Sequence, residues 1–369
     1  MTDAATAPVV PTAIQRGAPV VIAHRGVPGL RLEHTRPSYE LAISLGADFI
    51  EPDVVATKDG HLVVRHENEI GHTTDVGERR EFAERRTTKV IDGVAFSGWF
   101  TEDFTLAELK TLRTRERLPQ LRPQNLPLAG REPICTFDEV VQVARTANDS
   151  VLDYRVGVYV ETKHPTYFRG LGLDLDELLL DAFDRLGLGR ADSDVPVVVQ
   201  SMETGNLRRL RQRTSVPLVQ LVDRAGAPFD LLAAGDPRTY ADLVTPAGLS
   251  TVAEYADGIG PNKSLVIGRD AEHRLTGETG LVALAHERDL FVHVWTMRDE
   301  NNFLPLELRR GTARAAHGDA RREYERFFAA GVDGVFSDFT QTAVAVARRW
   351  RDREPSPSSP PSPTGPPAA

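Results

Sequence analysis

The sequence predicts a (β/α)8 barrel, and three observations carry that prediction. Short β-branched runs recur eight times, helical apolar patterns lie between them, and ionisable residues gather where the runs end. The runs occupy residues 20–24, 48–54, 156–163, 195–201, 217–222, 257–261, 291–296 and 332–338. Apolar residues at helical spacing fill 35–45, 136–147, 174–186, 203–213 and 280–288, and turn glycines such as Gly46 and Gly187 close several of these segments. One stretch breaks the alternation. Residues 61–66 form a further apolar run just past the turn-like TKDG of Thr57–Gly60, too close to the second for a parallel crossover, so the two make an antiparallel hairpin around that turn. A turn that pairs Ala56 with His61 sets Val54 opposite Val63 and Glu51 opposite His66. The charged, Gly- and Pro-containing segment 68–133 then reads as an insertion. Its Arg113, Arg115, Arg117 and Arg122 read as a solvated face, and its aromatics Phe96, Trp99 and Phe100 could floor an acyl site.

The 369 residues are 41% hydrophobic and 26% charged, enough to bury a core without covalent or metal staples. They divide into a flexible N-terminus (1–17), a barrel (18–350) and a Pro/Ser-rich tail (351–369) expected to be disordered. A net charge of −9 argues against nucleic acid and against anionic membrane surfaces, both of which require clustered cations. No run reaches the ~20 apolar residues of a membrane span, and the first residues lack a signal-like pattern, so a cytoplasmic protein is expected. Cys135, the one cysteine, excludes an internal disulfide or a multi-thiolate metal site and reads as a core residue.

In such a barrel the chemistry lies at the C-terminal ends of the strands. The first run ends in His24-Arg25-Gly26, the second contains Glu51-Pro52-Asp53, and the third ends in Glu161-Thr162-Lys163. Glu51 and Asp53, two apart on a strand, share a face. With Glu161 they could hold a hard divalent cation through oxygen, Ca²⁺ favoured and Mg²⁺ possible, or they could simply pair with Arg25 and Lys163. A cation beside Arg25 and Lys163 describes a phosphate site. His24 and His66, both predicted beside the carboxylate pair, suit proton transfer at a phosphodiester, while His34 and His164 are second candidates.

These residues stand in strings that resemble the glycerophosphodiester phosphodiesterase family, long bacterial type: HRG at His24, LEHT at Leu32–Thr35, GADFIEPDV at Gly46–Val54, TKDG, and VVRHE ending at Glu67. ETK, QSM, HVWT and GVDGVFSD follow in order at Glu161, Gln200, His293 and Gly331. The resemblance implies a barrel of the phosphatidylinositol-phosphodiesterase-like type, one bound divalent cation, and hydrolysis of small glycerophosphodiesters to sn-glycerol 3-phosphate and an alcohol; attack by the neighbouring glycerol 2-hydroxyl, giving a cyclic phosphate that water opens, is the expected route. It implies His24 and His66 as the acid/base pair, Glu51, Asp53 and Glu161 as metal ligands, and Arg25, Lys163 and Trp295 as substrate contacts. The family commonly carries Asp where this chain has Glu67. A phospholipase D-like or lysophospholipid-cleaving barrel, and a non-catalytic phosphate-binding module, are the alternatives.

Overall fold

The computed structural model describes residues 19–150, 154–190 and 192–352. The expected flexible N-terminus and nearly all of the Pro/Ser-rich tail lie outside the described residues. Eight parallel strands close a barrel: β1 (Val20–His24), β2 (Phe49–Glu51), β7 (Gly157–Thr162), β8 (Val197–Ser201), β9 (Leu218–Val222), β10 (Gly258–Pro261), β13 (Phe291–Met297) and β14 (Gly334–Ser337). Neighbours pair in the order β2-β1-β14-β13-β10-β9-β8-β7, and β2 closes on β7. Val20, Ile22, Phe49, Tyr159, Val198, Val219 and Phe336 fill the interior as one apolar cluster, so the barrel is packed rather than hollow.

Helices sheathe this sheet. The segment Phe137–Asn148 begins at a Thr136/Glu139 capping box and turns Phe137, Val140, Val141 and Ala144 inward. Helix Leu175–Leu186 ends on Gly187 in the left-handed conformation, as its sequence suggested. Cys135 is buried, and burial pushes its thiol up to about 11.

The second predicted strand divides. Pro52, which lacks an amide hydrogen, separates β2 from β3 (Asp53–Ala56). The strand β3 continues along β7 and pairs antiparallel with β4 (Leu62–Val64). The observed register sets Val54 opposite Val64 and Ala56 opposite Leu62, one residue from the expected pairing, and Glu51 lies outside the hairpin. The shift follows from the turn: the Thr57 amide donates to the His61 carbonyl at 2.9 Å, leaving a three-residue loop whose Gly60 takes φ +77°.

Segment 68–133 contains a second hairpin, β5 (Thr87–Ile91) with β6 (Val94–Gly98), and a short helix, Leu106–Leu109. Its arginines are not a uniform solvated face. Arg122 is 1% exposed and bonded to Glu300 and Asp338, a tertiary position that local charge spacing could not reveal. Phe100 is fully buried and the Trp99 indole donates to the Phe82 carbonyl, so these rings serve the segment's own packing. A third hairpin, β11 (Ile267–Arg269) with β12 (Leu275–Glu278), lies between β10 and β13.

Candidate active site

Strand register assembles the site. His24 stands beside Glu51 across β1 and β2, Asp53 beside Glu161 across β3 and β7, and Glu161 beside Gln200 across β7 and β8. A turn after β1 requires Gly26 at φ +93°, where any Cβ would meet the Ser38 hydroxyl at 2.4 Å; that hydroxyl accepts the Val27 amide instead. This turn carries Arg25 to the barrel mouth. One hollow there is lined by His24, Arg25, Glu51, His66, Glu161, Lys163 and Trp295, among others, so seven of the eight residues singled out in the sequence meet in it. The eighth, Asp53, lies buried next to them.

Glu51, Asp53 and Glu161 each offer an oxygen within 4.8 Å of the others, all three buried. Burial, and then the charge of its two neighbours, pushes the Glu51 carboxyl well above the usual range. Burial likewise brings Glu161 up to about 7 against the pull of Lys163. Asp53 behaves oppositely: burial, which raises it, is outweighed by the neighbouring His66 and Arg25 and by a bond to His34, which hold it well below its ordinary value. A compressed, all-oxygen set with two carboxyls under this strain fits a hard cation. The second candidate His34 thus has a definite place, with Nε2 on Asp53 at 2.9 Å and Nδ1 on the Tyr39 hydroxyl at 2.8 Å.

Arg25 and Lys163 do contact the carboxylates, as the simpler pairing reading had it. Arg25 Nε stands 3.3 Å from Asp53, its backbone amide donates to Glu51 at 2.8 Å, and Lys163 donates to Glu161 at 2.8 Å. Gln200 donates its amide to Glu51 at 3.1 Å.

Both histidines are held through Nδ1. In His24 it bonds Asp338 at 2.6 Å, and Asp338 is itself held by Arg122 at 2.5 Å and Arg298 at 2.7 Å. Burial and then Arg25 lower the His24 ring to about 4 despite Asp338, so the ring is neutral and its Nδ1 carries the proton given to the carboxylate. In His66, Nδ1 bonds Glu67 at 2.7 Å while Nε2 faces the Lys163 ammonium at 3.3 Å. Burial and then Arg25 lower this ring too. Glu67 continues to His164 at 3.3 Å, and His164 to Asp92 at 2.6 Å, at the turn between β5 and β6. Against the effect of burial, Asp92 and Glu67 raise His164 to about 9, so it is cationic at neutral pH.

Trp295 is half-buried at the end of β13, with its indole nitrogen donating to the Gly260 carbonyl at 2.7 Å. It both caps the barrel interior and walls the hollow. Asp338, Gln200, Glu33 and Arg122 were missed. Asp338 and Gln200 do end apolar runs, the same signal that singled out Glu51; Arg122 gives no local signal.

Comparison with known proteins adds four findings. The model of the glycerophosphoryl diester phosphodiesterase family matches residues 24–342. A glycerophosphodiester phosphodiesterase of Arabidopsis thaliana is 36% identical over 89% of this chain and 85% of its own length. One from Haemophilus influenzae is 26% identical over 88% of each. Among solved structures, a glycerophosphoryl diester phosphodiesterase from Silicibacter pomeroyi superposes over 93% of this chain and 99% of its own with a TM-score of 0.65 at 18% identity, a likeness of fold.

Proposed function

This chain belongs to the glycerophosphoryl diester phosphodiesterase family, and from that premise we propose that it hydrolyses small glycerophosphodiesters to sn-glycerol 3-phosphate and an alcohol, using a divalent cation and the His24/His66 pair. The observation that carries the reading is the convergence of three buried carboxylates, two cationic side chains and two neutral, tethered histidines on one hollow. A solved phosphodiesterase of Oleispira antarctica with the same fold, TM-score 0.56, contains sn-glycerol 3-phosphate as product.

Glu51, Asp53 and Glu161 would hold the cation, with Ca²⁺ favoured over Mg²⁺. Bound there, it would supply charge neutralisation at a phosphate oxygen. Arg25 and Lys163 bind the remaining phosphate oxygens, Arg25 through a guanidinium already oriented by Glu33 and Asp53. One imidazole, neutral, takes the proton of the glycerol 2-hydroxyl at Nε2 as that hydroxyl attacks phosphorus, while the other enters the step as imidazolium, its second proton favoured by the bound phosphate anion, and gives its Nε2 proton to the departing alkoxide. When water opens the cyclic phosphate the two rings exchange duties. With Nδ1 bonded to a carboxylate in both rings, Nε2 is the nitrogen that meets the substrate, and in His66 it does so as Lys163 turns from it to the phosphate. Trp295 lies against the glycerol. The substrate pool is taken as cytoplasmic; no helix among the described residues is long and apolar enough to cross a membrane. Segment 68–133 is read as an insertion in one barrel domain spanning 18–350.

The test is turnover of glycerophosphocholine, with and without chelator. Chelation abolishes activity and Ca²⁺ restores it, while His24→Ala and His66→Ala each lower kcat about 10²- to 10⁴-fold with the fold intact by circular dichroism. Near-normal turnover by either variant, or by metal-free protein, overturns the corresponding part of the mechanism.

A further inference from the structure

On the far side of Trp295 and Thr296 the barrel mouth continues into a second hollow over the ends of β9, β10 and β13. Arg224, Lys263, Arg269, Arg298 and Arg309 line it, and the first hollow shares Arg298. The carboxylates that meet these five cations are fewer. Glu323, fully buried, takes both Lys263 at 2.9 Å and Arg269 at 2.7 Å. Asp223 and Asp270 stand on the rim, where Asn262 and backbone amides already occupy them. Asp338, which accepts from Arg298, is shared with Arg122 and His24. The guanidinium of Arg224 makes no hydrogen bond or ion pair among the described residues, and Arg309 only reaches the Leu304 carbonyl. Burial above all lowers Lys263 to about 8, against the pull of Glu323 and with a smaller push from Arg269.

We propose that this second hollow is a binding subsite for an anionic group, such as a phosphate, on the alcohol that the catalytic site releases. The inference rests on the proposed function and narrows its substrate class to diesters whose leaving alcohol carries a second negative charge. Trp295 divides the two hollows, so a substrate reaching across it places one phosphate among Arg25 and Lys163 and the other among Arg224, Arg269 and Arg309. The opposite flank of the catalytic hollow is lined by Asp92, Glu203, Phe229 and Tyr240, a lining that would suit a cationic alcohol such as choline. Asp92 has its charge met by the cationic His164 through one oxygen, although its other oxygen makes no hydrogen bond, and Glu203 is bonded to Thr166 and raised by burial to about 7. The unspent charge is on the cationic side.

The experiment compares kcat/KM for glycerophosphocholine with that for glycerophosphoglycerol bearing a terminal phosphate monoester. In low salt the phosphorylated diester is favoured at least tenfold, the advantage shrinks as salt rises, and Arg224→Gln and Arg309→Gln each reduce it about threefold while leaving glycerophosphocholine turnover unchanged. Equal rates, a preference for the choline diester, or an advantage untouched by both substitutions overturns the proposal without touching the catalytic reading. If neither diester is hydrolysed in Ca²⁺-replete buffer, the catalytic reading fails, and the subsite is judged by calorimetry with glycerol 1,3-bisphosphate. Binding tighter than that of glycerol 3-phosphate, and weakened in the Arg224→Gln/Arg309→Gln double variant, supports the subsite. Equal binding overturns it.

Discussion

His66 is one end of a line of side chains that runs through Glu67 and His164 to Asp92, alternating base and carboxylate over three hydrogen bonds. Each bond fixes the ring or carboxylate before it, so a change at Asp92 reaches His66 without touching substrate. Asp92→Asn and Glu67→Gln are expected to lower kcat about tenfold at unchanged KM, and Glu67→Asp to retain most activity because the carboxylate persists. Steady-state kinetics separate this from a packing defect, which would lower stability and leave kcat per folded molecule unaltered. His164 was legible in the sequence only as a neighbour of Lys163. Its partner Asp92 lies 72 residues away, and no local pattern joins the two.

At the scale of elements, Pro52 and Gly60 shape the hairpin that delivers His66. The proline stops β2 after Glu51, and β3 restarts with Asp53 on the same side of the mouth. The glycine permits the three-residue loop. In Gly60→Ala the new methyl group meets nothing closer than Leu178 at 3.8 Å, so the cost is conformational: about 1 kcal/mol of stability for a Cβ at φ +77°, measurable by urea unfolding. Strand positions were legible because buried parallel strands are continuous apolar runs, and the ionisable residues that interrupt them stand out. The register was not, because TKDG allows either three or four loop residues and only the packed hairpin decides. Helix Ala320–Ala329 also escaped notice, since its charged outer face masks a narrow buried stripe that includes Tyr324 and Phe327; Thr340–Arg351 escaped as well, its buried stripe being made of small residues such as Ala343, Val344 and Ala347.

For the molecule as a whole, the packed barrel interior predicts an acid-sensitive stability. His293 is fully buried beneath the site, its Nδ1 3.0 Å from the Tyr159 hydroxyl, and burial lowers it to about 4. An unfolded chain binds a proton at this ring near pH 6.5, whereas the folded chain refuses it until about 4. Stability is therefore fully present above pH 6.5 and falls as pH drops toward 4, with this one group contributing a slope of about 1.4 kcal/mol per pH unit. Urea titrations at pH 7, 5.5 and 4.5 should show a shallower slope for His293→Gln than for the native chain.

The bond between His24 and Asp338 spans 314 residues and joins the first strand of the barrel to the last. A ribosome extends the chain from the His24 end, and the carboxylate that fixes this ring is added 314 residues later. Until then β1 has no β14 to close against, and the histidine lacks its tether. The tether of His24 therefore waits on the last strand of the barrel, and the proposed activity waits with it.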